Sequence, residues 1–179
     1  LQSKSKILMW PEAKIDNSKP WKRKQLNSIR MCYSGTKYFN EVYNELEKIY
    51  SKDYEYLIDF NEQIIKYAFK KFDINIPVYR TSKLIKEGHN ITGTKSDLIL
   101  NMCKSANAKT FVFGQDGKKY IEKEKFNTNN VNYIFQKFTH PEYNQKHLNF
   151  EPYMSFIDVL FNYGSESKNI LGKIEYDTE

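Results

Sequence analysis

The chain has 179 residues and a formal net charge of +6, and its length fits a single domain with a substantial core. Two cysteines are too few for a secreted disulfide framework or a zinc-ligand set, and no apolar run approaches the roughly 18 residues that a membrane span needs. We therefore predict one cytoplasmic domain over residues 1–179. The basic balance favours an anionic partner, although lysines scattered among glutamates are equally expected from compositional bias.

The first half of the chain has mainly the apolar spacing of helices. Residues 7–10 predict a short strand that Pro11 ends. Apolar residues then recur three or four positions apart in segments 21–33, 37–51 and 54–72. The last of these segments has the longest apolar stripe, so we expect it to be core scaffold.

The second half mixes the two patterns. Strands are predicted at residues 76–79, 109–114 and 131–138, and helices at 96–108 and 155–164. The tail after Ile170 is expected to be peripheral. Because parallel strands need a crossover connection, this order predicts an α/β fold with a small, mainly parallel sheet, packed helices and a helical N-terminal half.

Polar segments follow each predicted strand, at residues 80–88, 114–120 and 138–145. Ligands of open parallel sheets bind outside the carboxyl ends of the strands. We therefore expect the three segments to converge on a site.

Several of these segments match a known family in their order. They are KPWKRKQLNSIRMCYSGTKYF, FVFGQDGKKYIEKEKF, FQKFTHPEYNQ and FEPYMSFIDVLFNYG. Over residues 21–171 the chain resembles the WbqC-like protein family. The family's early glutamine–proline and leucine–proline motif is absent, and the chain begins at Leu1. We therefore expect a piece of a longer protein, about its C-terminal two-thirds, that lacks part of the site.

The resemblance also implies a function. Members of the family occur in bacterial surface-polysaccharide (O-antigen) gene clusters, and transfer of a glycyl or other aminoacyl group to an amino sugar has been suggested for them. The resemblance therefore implies such a transfer here.

The segment GQDG is a candidate anion cradle. Glycine permits left-handed backbone and close approach, so successive N–H groups could hold a phosphate. A plain Asp-Gly turn is the alternative. With the tyrosine that follows, the candidate substrate-binding residues here are Gly114, Gln115, Asp116, Gly117 and Tyr120.

The loop after the last predicted strand carries the candidate base. A histidine side chain titrates near neutrality and can take a proton from an attacking amine, so His140 is the candidate base and His147 is a weaker candidate. Tyr143 and Gln145 alternate along the loop, so an extended backbone directs both to one side, as sugar binding requires. A turn histidine and a core tyrosine are the alternatives.

Three polar residues lie at the last predicted helix. Ser155 and Asp158 have the spacing of a capping box, and Asn162 follows one turn later on the same face. They are substrate-binding candidates if they form a polar cluster. Ser82, after the first predicted strand, is a further candidate.

The sequence is compatible with three functions for the site. The first is transfer of an aminoacyl or other acyl group to the amine of a nucleotide sugar, without metal or cofactor. Its donor would be an acidic acyl-carrier protein, coenzyme A, aminoacyl-tRNA or a free amino acid with ATP. The second is a non-catalytic module that binds sugar nucleotides or a glycosylation partner. Nucleic-acid binding ranks last, because the aromatic residues mostly follow helical apolar faces.

Overall fold

The chain divides into two units, each with its own apolar core. A computed structural model describes residues 12–146, 149–171 and 175–177. One unit comprises Leu1–Ile76 with His140–Gly172, and the other comprises Pro77–Thr139 with Lys173–Glu179. The strand predicted at residues 7–10 lies outside the described residues, and the single domain over residues 1–179 stays a prediction.

Helices account for most of the regular structure among the described residues. In chain order they are α1 Trp21–Tyr33, α2 Phe39–Tyr50, α3 Leu57–Phe72, α4 Thr81–Lys86, α5 Lys95–Ser105, α6 Lys123–Thr128, α7 Phe156–Tyr163 and α8 Ser167–Ile170. The five helices that the apolar spacing predicts are confirmed, and so is the helical N-terminal half. No helix in the described part of the chain is long and apolar enough to cross a membrane.

The core of the first unit lies between α2, α3 and α7. Val42 and Leu46 of α2 and Leu160 and Phe161 of α7 are at most 2% exposed and belong to one apolar cluster with Tyr67 of α3. A second cluster of the same unit gathers aromatic rings around Phe60 of α3. The predicted role of this third helix as core scaffold is therefore confirmed.

The second unit contains a mixed sheet. Its described strands are β1 Thr110–Phe113, β2 Asn132–Lys137 and β3 Glu175–Asp177, in the order β1-β2-β3. Strands β1 and β2 are parallel, whereas β2 and β3 are antiparallel. The prediction of a mainly parallel sheet is therefore wrong, because β3 comes from the tail that was expected to be peripheral.

The crossover between the two parallel strands consists of a short 3-10 helix at Gln115–Lys119 and then α6. The helix α5, expected to follow a strand at residues 76–79, precedes β1 without such a strand before it. Residues 74–80 have no regular structure, so the strand predicted there is wrong. Ile76 and Val78 are more than half exposed, and Pro77 has no N–H to offer a neighbouring strand.

Two of the three predicted loops do follow parallel strands. GQDG follows β1 and Phe138 follows β2, so both begin at the same edge of the sheet. Residues 80–88 follow no strand and include α4 instead. Residues 140–145 belong to the first unit, with α1, α2 and α3.

Candidate functional site

A buried carboxylate anchors the loop that carries the candidate base. Asp158, in the first turn of α7, is only 5% exposed. Its Oδ2 accepts a hydrogen bond of 2.8 Å from the Tyr143 hydroxyl and one of 3.2 Å from Gln145 Nε2. The expected orientation of Tyr143 and Gln145 to one side is thus confirmed, and both side chains meet the same oxygen.

The capping-box interpretation of this helix start is wrong. Ser155 is the residue before α7, but its side chain makes no capping hydrogen bond. The contact between the two residues is from the backbone N–H of Asp158 to the carbonyl of Ser155, at 2.8 Å. The Asp158 carboxylate instead accepts hydrogen bonds from Tyr143 and Gln145 of the preceding loop, so it stabilises a tertiary contact.

Two phenols are kept protonated beside this carboxylate. Burial raises the pKa of Tyr143 to about 12, and its contact with Asp158 acts in the same direction. Burial also raises the pKa of Tyr33, as do the charge and the hydrogen bond of Asp158. A phenol that stays protonated donates a hydrogen bond to a carboxylate, so the three groups form one network.

The side-chain amide of Gln145 makes two hydrogen bonds to the backbone of Glu151, across the loop. Nε2 donates to the carbonyl of Glu151 at 2.9 Å, and Oε1 accepts from the Glu151 N–H at 2.8 Å. Lys146 Nζ then donates to the carbonyls of Cys32 and Ser34, at 3.0 and 2.6 Å. The Lys146 contacts hold this part of the loop against the end of α1.

A groove of about 490 Å³ lies along this loop. Its lining combines amides, hydroxyls, two lysines and one glutamate: Gly35, Thr36, Lys37, Tyr38, Asn144, Gln145, Lys146, Asn162, Tyr163 and Glu166. Asn162 is oriented by its Nδ2, which donates to the Asp158 carbonyl at 2.8 Å. Polar groups in fixed positions give a pocket its specificity, and this lining suits a polar, charged ligand.

The His140 ring is half-buried in an aromatic cluster. Its centroid lies 6.2 Å from that of Tyr143, 5.8 Å from that of Phe150 and 5.2 Å from that of Tyr153. Nδ1 lies 2.8 Å from the Pro141 carbonyl oxygen. A carbonyl only accepts, so Nδ1 carries the proton and the neutral ring has its lone pair on Nε2. His147 lies outside the described residues.

The GQDG segment forms a short helical turn in the other unit. Gly114 has φ −68° and Gly117 has no positive φ, so neither glycine adopts the left-handed backbone that its residue type permits. Close approach is observed, but to protein: a Cβ on Gly117 would lie 2.5 Å from Phe113 Cβ. Asp116 forms an exposed ion pair with Lys119. An anion-binding role for this segment stays a prediction.

The remaining candidates also lie in the second unit. Tyr120 is 49% exposed, and its ring is edge-on to Phe113 at 6.1 Å. Ser82 is in the first turn of α4 and not at a strand end. Their substrate-binding roles stay predictions. Cys103 is buried, and burial raises the pKa of its thiol, which disfavours the nucleophilic thiolate.

The sequence pattern missed several groups of this site. It assigns Tyr33 to an apolar helical face, and nothing local to Lys37, Tyr163 or Glu166 indicates that they share a groove. They meet because α1 and α7 pack around α2, which no local motif encodes. Among the described residues, no group of three or more His, Cys, Asp or Glu is placed to hold a metal ion.

Comparisons with known proteins identify the family. The chain belongs to the WbqC-like protein family, whose sequence pattern matches residues 2–170. It is 23% identical over 162 residues to the uncharacterized protein Rv1507c of Mycobacterium tuberculosis (strain ATCC 25618 / H37Rv). The aligned region covers 89% of this chain and 68% of that relative. No solved structure matches the chain.

Proposed function

We propose that the protein transfers an acyl group, in particular an aminoacyl group such as glycyl, to the amine of a nucleotide-activated amino sugar. The observation that carries the proposal is the polar groove beside the anchored His140 loop. Membership of the WbqC-like family supports it, because the resemblance implies aminoacyl transfer in surface-polysaccharide synthesis.

The groove offers complementary groups for such an acceptor. Asn144, Asn162 and Tyr163 supply amide and hydroxyl groups for sugar hydroxyls. The Lys37 ammonium supplies positive charge for a phosphate, and its pKa is raised by its hydrogen bond to Tyr38. The Glu166 carboxylate supplies negative charge for the amino group of the sugar.

His140 is the proposed base of the reaction. The amine nitrogen forms a bond to the acyl carbon, and the bond from that carbon to the thiolate or alkoxide leaving group breaks. Nε2 takes the proton that the amine loses and returns it to the leaving group. Asp158 acts through Tyr143, because it fixes the ring that packs beside His140.

A turnover assay tests the proposal directly. The full chain is incubated with UDP-linked and dTDP-linked amino sugars and with acyl donors, which are acyl-carrier thioesters, acyl-coenzyme A and aminoacyl-tRNA. Mass spectrometry follows formation of the amide. We expect His140→Ala to lower the rate by about 10²-fold or more, the usual contribution of a general base.

The control is His89→Ala, which should leave the rate unchanged, because His89 is exposed and belongs to the other unit. Wild-type rates in His140→Ala would contradict the role of His140. Absence of product with every pair of substrates would contradict the transferase.

One observation favours a second candidate, a non-catalytic module that binds sugar nucleotides. Tyr143, Gln145 and Asp158 use their polar groups on one another, which suits a rigid binding surface. In that case His140→Gln would bind sugar nucleotides as the wild type does, and neither protein would form product.

A further inference from the structure

We propose that Tyr153 is a stacking platform for the base of a nucleotide; the choice of nucleotides rests on the proposed function. Tyr153 lies in the loop between β2 and α7, in the unit that contains the groove. Neither the sequence pattern nor the comparisons single it out.

The conformation of Tyr153 is unusual for its residue type. Its φ is +60°, in the left-handed region that turns usually give to Gly or Asn. The residue is 79% exposed, so little burial offsets the strain of this backbone. An energetically unfavourable residue that directs a large ring into solvent points to a function for the ring.

The Tyr153 ring packs against His140, the first of a series of rings. It meets His140 edge to face, with centroids 5.2 Å apart and planes at 68°. His140 lies nearly parallel to Tyr143, at 26°, and the Tyr143 hydroxyl is fixed by the buried Asp158. The exposed ring therefore belongs to a supported series that ends in the core, which limits the entropy lost when a ligand stacks on it.

The same series of rings leads to the groove. The Tyr143 centroid lies 6.0 Å from that of Tyr163, and Tyr163 lines the groove together with Lys37 and Lys146. An exposed flat ring at one end and ammonium groups at the other suit a ligand with a flat ring and an anionic group. Bases stack on aromatic side chains whatever their sequence, because every base has a π-face. A nucleotide has both features.

Two substrates of the proposed reaction carry a nucleoside. One is the acceptor, whose sugar is linked to a nucleoside diphosphate. The other is a donor that carries adenosine, such as coenzyme A or aminoacyl-tRNA. Calorimetric titration with UDP, dTDP and GDP examines the first source, and titration with AMP and coenzyme A examines the second.

The titrations compare the wild-type protein with three variants. Tyr153→Phe keeps the ring and should bind within about twofold of wild type. Tyr153→Asn removes the ring and should weaken binding roughly 5- to 150-fold, as the loss of one stacked base does. Its melting temperature should not fall, because Asn tolerates the left-handed conformation. Tyr79→Asn is the matched control and should bind nucleotides as the wild type does. Tyr79 is 58% exposed and lies outside helices and strands.

The results separate this inference from the proposed function. Weaker binding by Tyr153→Asn alone supports the platform even if no amide product is ever formed. Wild-type affinity in Tyr153→Asn overturns the platform even if the protein proves to be a transferase. Failure of all five nucleotides to bind the wild-type protein also overturns it.

Discussion

At the residue scale, the hydroxyl of Tyr67 is buried without a hydrogen-bond partner among the described residues. Its side chain lies in the core of the first unit, and burial, with the charges of Glu45 and Glu41, raises its pKa. A buried polar group without a partner costs free energy. We expect Tyr67→Phe to raise the free energy of unfolding by about 1 kcal/mol, measured by urea denaturation.

Tyr50→Phe is the matched control for this change. Tyr50 is also buried, but its hydroxyl donates to Gln25 Oε1 at 2.9 Å. Removing it should lower the free energy of unfolding by about 0.5–1.5 kcal/mol. Equal destabilisation by both substitutions would contradict the assignment of Tyr67 as unsatisfied.

Tyr143 should make the folded state sensitive to alkali. Its pKa is raised to about 12, while a tyrosine in the unfolded chain ionises near about 10. Between these values the unfolded state binds fewer protons, so the free energy of unfolding falls as pH rises. The contribution is complete below about pH 10 and is lost as pH rises toward about 12.

Urea denaturation at a series of alkaline pH values measures this loss. Tyr143→Phe has no proton to lose, so its stability should fall less steeply over this range. An identical slope in the wild type and the variant would exclude Tyr143 as its source.

Local sequence patterns were a partial guide at this scale. Alternation along the chain correctly predicted that Tyr143 and Gln145 share a side, because an extended backbone alone determines it. The spacing of Ser155 and Asp158 was misleading, because the carboxylate binds partners 13 and 15 residues away. A capping pattern cannot show that a distant loop competes for the same oxygen.

At the element scale, the two glycines of the turn after β1 should differ sharply. A Cβ on Gly117 would lie 2.5 Å from Phe113 Cβ, whereas one on Gly114 meets nothing within 4 Å. We therefore expect Gly117→Ala to lower the free energy of unfolding by about 1–3 kcal/mol, as overpacking does. Gly114→Ala should change it by no more than about 0.5 kcal/mol, as surface substitutions do.

Thermal or urea denaturation of the two variants measures the difference. The result also bears on the anion-cradle prediction, because packing against Phe113 is enough to require glycine at position 117. Equal stability of both variants would contradict this packing.

Helices were easier to predict than strands for a physical reason. A helix makes its hydrogen bonds within one segment, so apolar spacing indicates it directly. A strand depends on a partner. Residues 74–80 alternate as a strand does, with Ile76 and Val78 exposed, but they pair with none of the described strands. The strand β3, by contrast, pairs with β2, with Phe135 opposite Asp177. Its three residues are too few to give a sequence pattern.

At the scale of the whole molecule, the sequence predicted an α/β fold with a helical first half, and both are present. The groove could not be predicted, because its lining comes from residues 35–38, 144–146, 162–163 and 166. Helix packing brings these segments together. The net charge of +6 fits anionic substrates in general but gives no position for them.

A thermal-shift comparison of two ligands on the full chain would show whether the groove binds an amine acceptor. One is a UDP-linked amino sugar, and the other is the same nucleotide sugar with a hydroxyl in place of the amine. Glu166 and the amides of the groove should favour the amine. A hundredfold excess over the dissociation constant stabilises the folded state by about 2.7 kcal/mol. We predict a clearly larger shift with the amino sugar. Equal shifts with the two ligands, or no shift with either, would contradict binding of the amine acceptor in this groove.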